Sequence, residues 1–150
     1  MMADFQSSVV IAQPVEVVFK YVASMENMPE IMPNVVNIDK RGLGQLKSGD
    51  KVVETRMIRG RETESELEIT AFEENKLFAY KSETNGLQSV YWYSFEEVEE
   101  GRTRASFKAD IKTTGIVMGL TKRFIVNMLK REDGNQMVYL KDMLEGKANS

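Results

Sequence analysis

The chain has 150 residues, 42% of them hydrophobic and 29% charged, with a formal net charge of −3. That length suits one domain, 1–150, with a core that needs no disulfide or metal, and the absence of Cys and His removes thiolate nucleophiles, zinc sites built on those residues, His-ligated haem and every triad with an imidazole base. The mild acidic excess gives no general attraction to nucleic acid or anionic lipid.

Residues 4–12 predict a first strand. Pro14 then opens a helix, where its missing N–H removes no hydrogen bond. Val15, Val18, Phe19 and Val22 follow at helical spacing and form one apolar stripe. A second short helix is expected next, capped by Asn27 with Glu30 completing a capping box and with Met28, Ile31 and Met32 facing inward. Pro33 ends it, because the residue before proline avoids helical backbone.

From Asn34 to Lys112 the pattern is strand and turn. Strands are predicted at 34–41, 51–59, 61–72, 76–83, 87–98 and 102–112. Turns fall at Arg59-Gly60, Glu74-Asn75, Asn85-Gly86 and Glu100-Gly101. The alternation is clearest in 61–72, where Glu62, Glu64, Glu66 and Glu68 share one face and Thr63, Ser65, Leu67 and Ile69 the other. Short turns between successive strands make an antiparallel meander the economical topology.

Helical period returns over about 116–145. Leu120, Phe124, Met128, Val138 and Leu144 supply one apolar stripe, and Ile125, Leu129 and Met143 its neighbour. Gly134 interrupts the run, yet one long helix is expected. A meander with one apolar face must cover that face, and this helix is the element large enough to do so. A cavity between sheet and helix follows as a geometric expectation.

The stretch PVEVVFKYVASMENMPEIMPNVVNI, residues 14–38, resembles the START-like SRPBCC superfamily, nearest its polyketide cyclase/dehydrase branch. The likeness lies in a Pro-initiated Val-Val-Phe helix and an Asn-x-Pro-x-x-x-Pro helix, here Asn27, Pro29 and Pro33. LKDMLEG near the C-terminus is similar to the Leu-Lys-x-x-Leu-Glu ending of that group. Ile31 departs from it, standing where members often carry Trp. The resemblance implies an α+β helix-grip fold: a curved antiparallel sheet of about seven strands around a long C-terminal helix, with two short helices after the first strand. It also implies a hydrophobic cavity of the kind that takes lipids, quinones, sterols or polyketides. It carries over no catalytic set.

On this reading odd-numbered strand residues from 63 onward face the helix. The candidate ligand-binding residues are Thr63, Ser65, Leu67, Ile69, Tyr91, Tyr93, Phe95 and Phe107, with Phe124 and Met128 from the helix. Core packing competes as the explanation for each Leu, Ile or Phe. The tyrosines carry more information, because a buried phenol needs a partner. Trp92 has the opposite parity and belongs on the outer face. The four alternating glutamates read as a solvated face, not as an acid/base pair or a metal site.

The expected function is binding or carriage of an apolar small molecule, with no cofactor and no metal. A cyclase or dehydratase is the alternative; without histidine its proton transfer falls to a tyrosine, an acid or water, with Arg56 and Arg59 as oxyanion partners. A protein-interaction module working through Trp92 is a third reading. No run approaches the ~18 apolar residues of a membrane helix, and MMADFQSSVV is no signal peptide. A cytoplasmic protein without stable membrane insertion or nucleic-acid partners is expected. The sequence leaves the oligomeric state open.

Overall fold

The computed structural model describes residues 3–84, 86–114 and 121–146. Seven strands form one sheet: β1 (Phe5–Ile11), β2 (Val35–Asp39), β3 (Lys51–Ile58), β4 (Arg61–Glu73), β5 (Leu77–Thr84), β6 (Leu87–Glu99) and β7 (Arg102–Thr113). Their order is β1-β7-β6-β5-β4-β3-β2, and every neighbouring pair is antiparallel. The meander from β2 to β7 therefore runs across the sheet in sequence order. β1 joins at the far edge, where Phe5 pairs with Ala109 and Ile11 with Thr103.

Local chemistry explains the elements. In α1 (Val15–Ala23) the predicted stripe Val15, Val18, Phe19 and Val22 is buried. A single 3-10 turn, Met25–Asn27, leads into α2 (Met28–Ile31). Met32, before Pro33, is extended at φ −126° and ψ 97°, so α2 stops where proline requires. The β3–β4 hairpin closes Ile58 against Arg61 over two residues. Both of them, Arg59 at φ 52° and Gly60 at φ 78°, take left-handed backbone, the conformation that lets a two-residue turn follow the strand twist.

The sheet's inner face carries the core. Phe78, Tyr93 and Phe107 are fully buried, and Tyr80 and Tyr91 nearly so. Their rings form a continuous layer, with Tyr91 edge-on to Phe107 at 5.1 Å and Phe78 5.9 Å from Phe72. Each buried side chain of this size stabilises the fold by about 1.5–3 kcal/mol. Helix α1 packs on β6 and β7.

Three expectations need correction. The capping box at Asn27 does not form, because the Asn27 amide turns back and donates to the Tyr21 carbonyl at 3.0 Å. Glu30 instead accepts the Tyr21 hydroxyl at 2.9 Å. The C-terminal helical segment is not one uninterrupted rod: α3 (Lys122–Asp133) and α4 (Gln136–Leu144) are separated at Gly134-Asn135. A Cβ on Gly134 would collide with the Lys130 carbonyl oxygen, so a side chain here would force the backbone to shift.

The third correction concerns which of the two predicted stripes of α3 faces the core. The side turned to the core carries Ile125, Val126 and Leu129 together with the fully buried Asp133. Phe124 is 60% exposed on the outer side. Parts of the sequence reading fall on Asn85, Leu120 and the other residues of 115–120, which lie outside the described residues. Helix α4 packs on β1, β7 and α2. Its end is pinned to β1: Lys141 Nζ donates to the Val10 carbonyl at 2.7 Å, and the Ala12 N–H donates to Glu145 at 2.6 Å.

Candidate ligand-binding site

Between strands β3–β6 and α3 lies a cavity of about 320 Å³. The pleat builds it, since alternate residues of each strand point inward. β3 contributes Glu54, Arg56 and Ile58, and β4 contributes Thr63, Ser65 and Leu67. β5 adds Tyr80, Ser82 and Thr84, and β6 adds Leu87, Ser89 and Tyr91. Leu129 of α3 forms the roof. The antiparallel register brings like depths together: Tyr80 faces Tyr91, Ser82 faces Ser89, and Thr84 faces Leu87.

The cavity has a dry end and a wet end. Glu54, Leu67, Tyr80 and Tyr91 are buried, whereas Thr63 and Thr84 are exposed. Between them sit the half-buried hydroxyls of Ser65, Ser82 and Ser89.

Behind the dry end is a charged knot that ties sheet to helix. Arg56 Nε and Nη2 donate to Glu54 at 3.2 and 3.3 Å. Its Nη1 donates to both oxygens of Asp133 at 3.0 Å and reaches Glu132 at 3.5 Å. Nη2 also faces the Met32 sulfur at 3.8 Å. Every edge of the guanidinium is thus engaged, and its side chain is only 12% exposed. Burial works against the Arg56 charge, but Asp133 and Glu54 outweigh it and hold its pKa above the ordinary value. Asp133 also accepts the Tyr91 hydroxyl at 2.5 Å.

A second polar chain runs beside it. Tyr93 donates to Gln136 Oε1 at 2.5 Å, and the Tyr80 and Tyr93 hydroxyls are 3.3 Å apart. Gln136 is fully buried and its Nε2 has no partner. Burial pushes the pKa of Tyr80, Tyr91 and Tyr93 upward, because a phenolate there would lack water. For Tyr91 the negative Asp133 adds to the rise, and Arg56 opposes it.

Of the candidates named from sequence, Thr63, Ser65, Leu67 and Tyr91 meet at this cavity. Ile69, Tyr93, Phe95 and Phe107 are buried in the core and lie off its wall. Met128 is half-buried on α3, and Phe124 points to solvent. Arg59 sits in the β3–β4 turn, away from the cavity. Trp92 is on the outer face, paired across the strands with Ala79 and Lys108.

Sequence reasoning missed Tyr80, Ser82, Thr84 and Ser89, as well as the knot at Arg56. The expectation that odd-numbered strand residues face the helix fails in β5, whose inward set is the even-numbered Phe78, Tyr80, Ser82 and Thr84. No helix among the described residues is long and apolar enough to cross a membrane.

The family model described as polyketide cyclase / dehydrase and lipid transport matches residues 2–145. Among curated proteins none is significantly similar in sequence. Among solved structures, the Zhui aromatase/cyclase from Streptomyces sp. R1128 is similar at a TM-score of 0.77 and 13% identity, over 95% of this chain and 93% of that one. A START superfamily protein from Mycobacterium smegmatis is similar at a TM-score of 0.70 and 13% identity, over 95% and 97%. The di-domain aromatase/cyclase BexL of the BE-7585A pathway matches at a TM-score of 0.75 and 15% identity. That match covers 97% of this chain, which spans about half of BexL, 47%. At these identities the likeness is one of fold.

Proposed function

The chain belongs to the polyketide cyclase/dehydrase and lipid transport family, and from that premise we propose that it binds one compact, largely apolar small molecule between the sheet and α3. The cavity carries this reading: about 320 Å³, near the lower end of the 300–1,000 Å³ typical of ligand sites. Its dry end offers Leu67 and two phenol rings, and its wet end a row of hydroxyls. Apolar burial at about 25 cal/mol per Å² drives affinity. Ser65, Ser82 and Ser89 then satisfy the ligand's polar atoms near the mouth.

Two features favour binding over turnover. General acid/base catalysis needs a group within reach of substrate and free to exchange a proton. Arg56 is engaged on all its edges, and the Tyr91 proton is given to Asp133. The chain also contains no histidine. A cyclase-type reaction therefore has little to work with at this wall.

The test is thermal unfolding of the full chain against a panel of quinones, aromatic polyketides and short-chain lipids. A binder raises Tm with concentration, since it stabilises only the folded state. A flat response to the whole panel, with no small molecule retained on native mass spectrometry of the purified chain, would sink the reading.

A further inference from the structure

The direction of the hydrogen bonds at the dry end restricts what a ligand can offer there. A phenol has one proton to donate. Tyr91 gives its proton to Asp133, and Tyr93 gives its proton to Gln136 Oε1. The 3.3 Å contact between Tyr80 and Tyr93 is then left to Tyr80 as donor. Tyr80 and Tyr91 are the phenols on the cavity wall, while Tyr93 and Asp133 stand behind it. Both wall phenols thus send their protons out of the cavity and present only lone pairs to it.

On the wall beside the two phenols, Glu54 and Arg56 add acceptors and no free donor; the unpartnered Gln136 Nε2 stands behind the wall with Tyr93. Glu54 lines the wall and is 6% exposed. The N–H groups of Arg56 are spent on Glu54, Asp133, Glu132 and the Met32 sulfur. An ether or ketone oxygen placed here meets lone pairs, and a carboxylate also meets the charge of Glu54. A buried polar group left without its partner is penalised far more than a satisfied one is rewarded.

Resting on the binding function proposed above, we propose that the cavity selects ligands whose deep polar group is a hydrogen-bond donor, a phenolic or alcoholic O–H held between Tyr80 and Tyr91. It discriminates against ethers, ketones and carboxylates of the same shape. Gln136 is the positioning residue: by accepting the Tyr93 proton it sets the direction of the whole chain.

Isothermal titration of the full chain with 2-naphthol, 2-methoxynaphthalene and 2-naphthoate tests this. The expected order is 2-naphthol about tenfold tighter than 2-methoxynaphthalene, with 2-naphthoate weakest. Gln136→Leu removes the acceptor for Tyr93 and lets the chain turn round. The methoxy compound should then tighten until the two differ by about threefold or less, a gain that mere loosening of the fold does not give. Tyr80→Phe should close the same gap from the other side, by weakening 2-naphthol. Methoxynaphthalene or naphthoate bound as tightly as naphthol to the native chain overturns the donor preference and leaves the cavity function standing. Failure of all three aromatics to bind overturns both.

Discussion

The Tyr91 hydroxyl donates to Asp133 over 2.5 Å, joining the middle of β6 to the last residue of α3. Asp133 in turn holds Arg56 of β3 at 3.0 Å, so one fully buried carboxylate fastens two strands to the helix. Burying such a group is tolerable only because donors surround it.

Arg56→Met should therefore be severe. It leaves Asp133 and Glu54 buried without their cation, and breaking a buried pair on one side costs about 3–5 kcal/mol. Urea unfolding reads this as a lower midpoint at unchanged slope. Replacing Glu54 and Asp133 by apolar residues in the same chain should recover most of the loss. A single variant as stable as the parent would show that the knot contributes nothing.

Alkaline pH should unfold the protein steeply. Tyr80, Tyr91 and Tyr93 have folded pKa values raised above the ordinary phenol value, first by burial. Above about pH 10 the unfolded chain releases these protons while the folded chain keeps them, so stability is intact below that pH and falls as pH rises. Each tyrosine contributes a slope of up to about 1.4 kcal/mol per pH unit. Tyr91→Phe should reduce the slope by one proton. Equal slopes in parent and variant would contradict the assignment.

Gly134→Ala should destabilise. In an ordinary helix that exchange gains about 1 kcal/mol. Here the backbone of Gly134 is helical at φ −72°, so conformational freedom is not the issue. The added methyl meets the Lys130 carbonyl, and overpacking of this kind costs about 1–3 kcal/mol. A rise in Tm on Gly134→Ala would refute the contact.

Filling the cavity should separate binding from stability. Ser82 projects into it from the C-terminal half of β5, half-buried. Ser82→Phe is expected to weaken 2-naphthol by about tenfold or more while leaving the urea midpoint close to the parent. Undiminished affinity would move the site elsewhere.

Much of the sheet was legible because most strands have one wet face. In β4 the glutamates mark the outside, so the inward set Thr63, Ser65, Leu67 and Ile69 is read directly. β6 and β7 alternate in the same way, which gave Tyr91 and Phe107. β5 hides its parity, since Phe78, Ala79 and Tyr80 are all buried in succession. That is why Tyr80 went unseen although it faces Tyr91.

On α3 the sequence offers two adjacent stripes, and the site candidate Phe124 lies on the outer one. Ile125 and Leu129 of the neighbouring predicted stripe pack on the core, joined by Val126 and by the fully buried Asp133, a charged residue that no apolar pattern selects. Its partner Arg56 lies 77 residues away in sequence. The encounter exists only once the sheet has formed.

The pairing of β1 with β7 has a consequence for biosynthesis. β1 is synthesised well before β7 and finds its neighbour only when β7 emerges, as Phe5 awaits Ala109. Until then an apolar strand stands without a mate, open to chaperones or to self-association. Translation slowed before β7 would prolong that exposure, and a chain released short of it would be aggregation-prone.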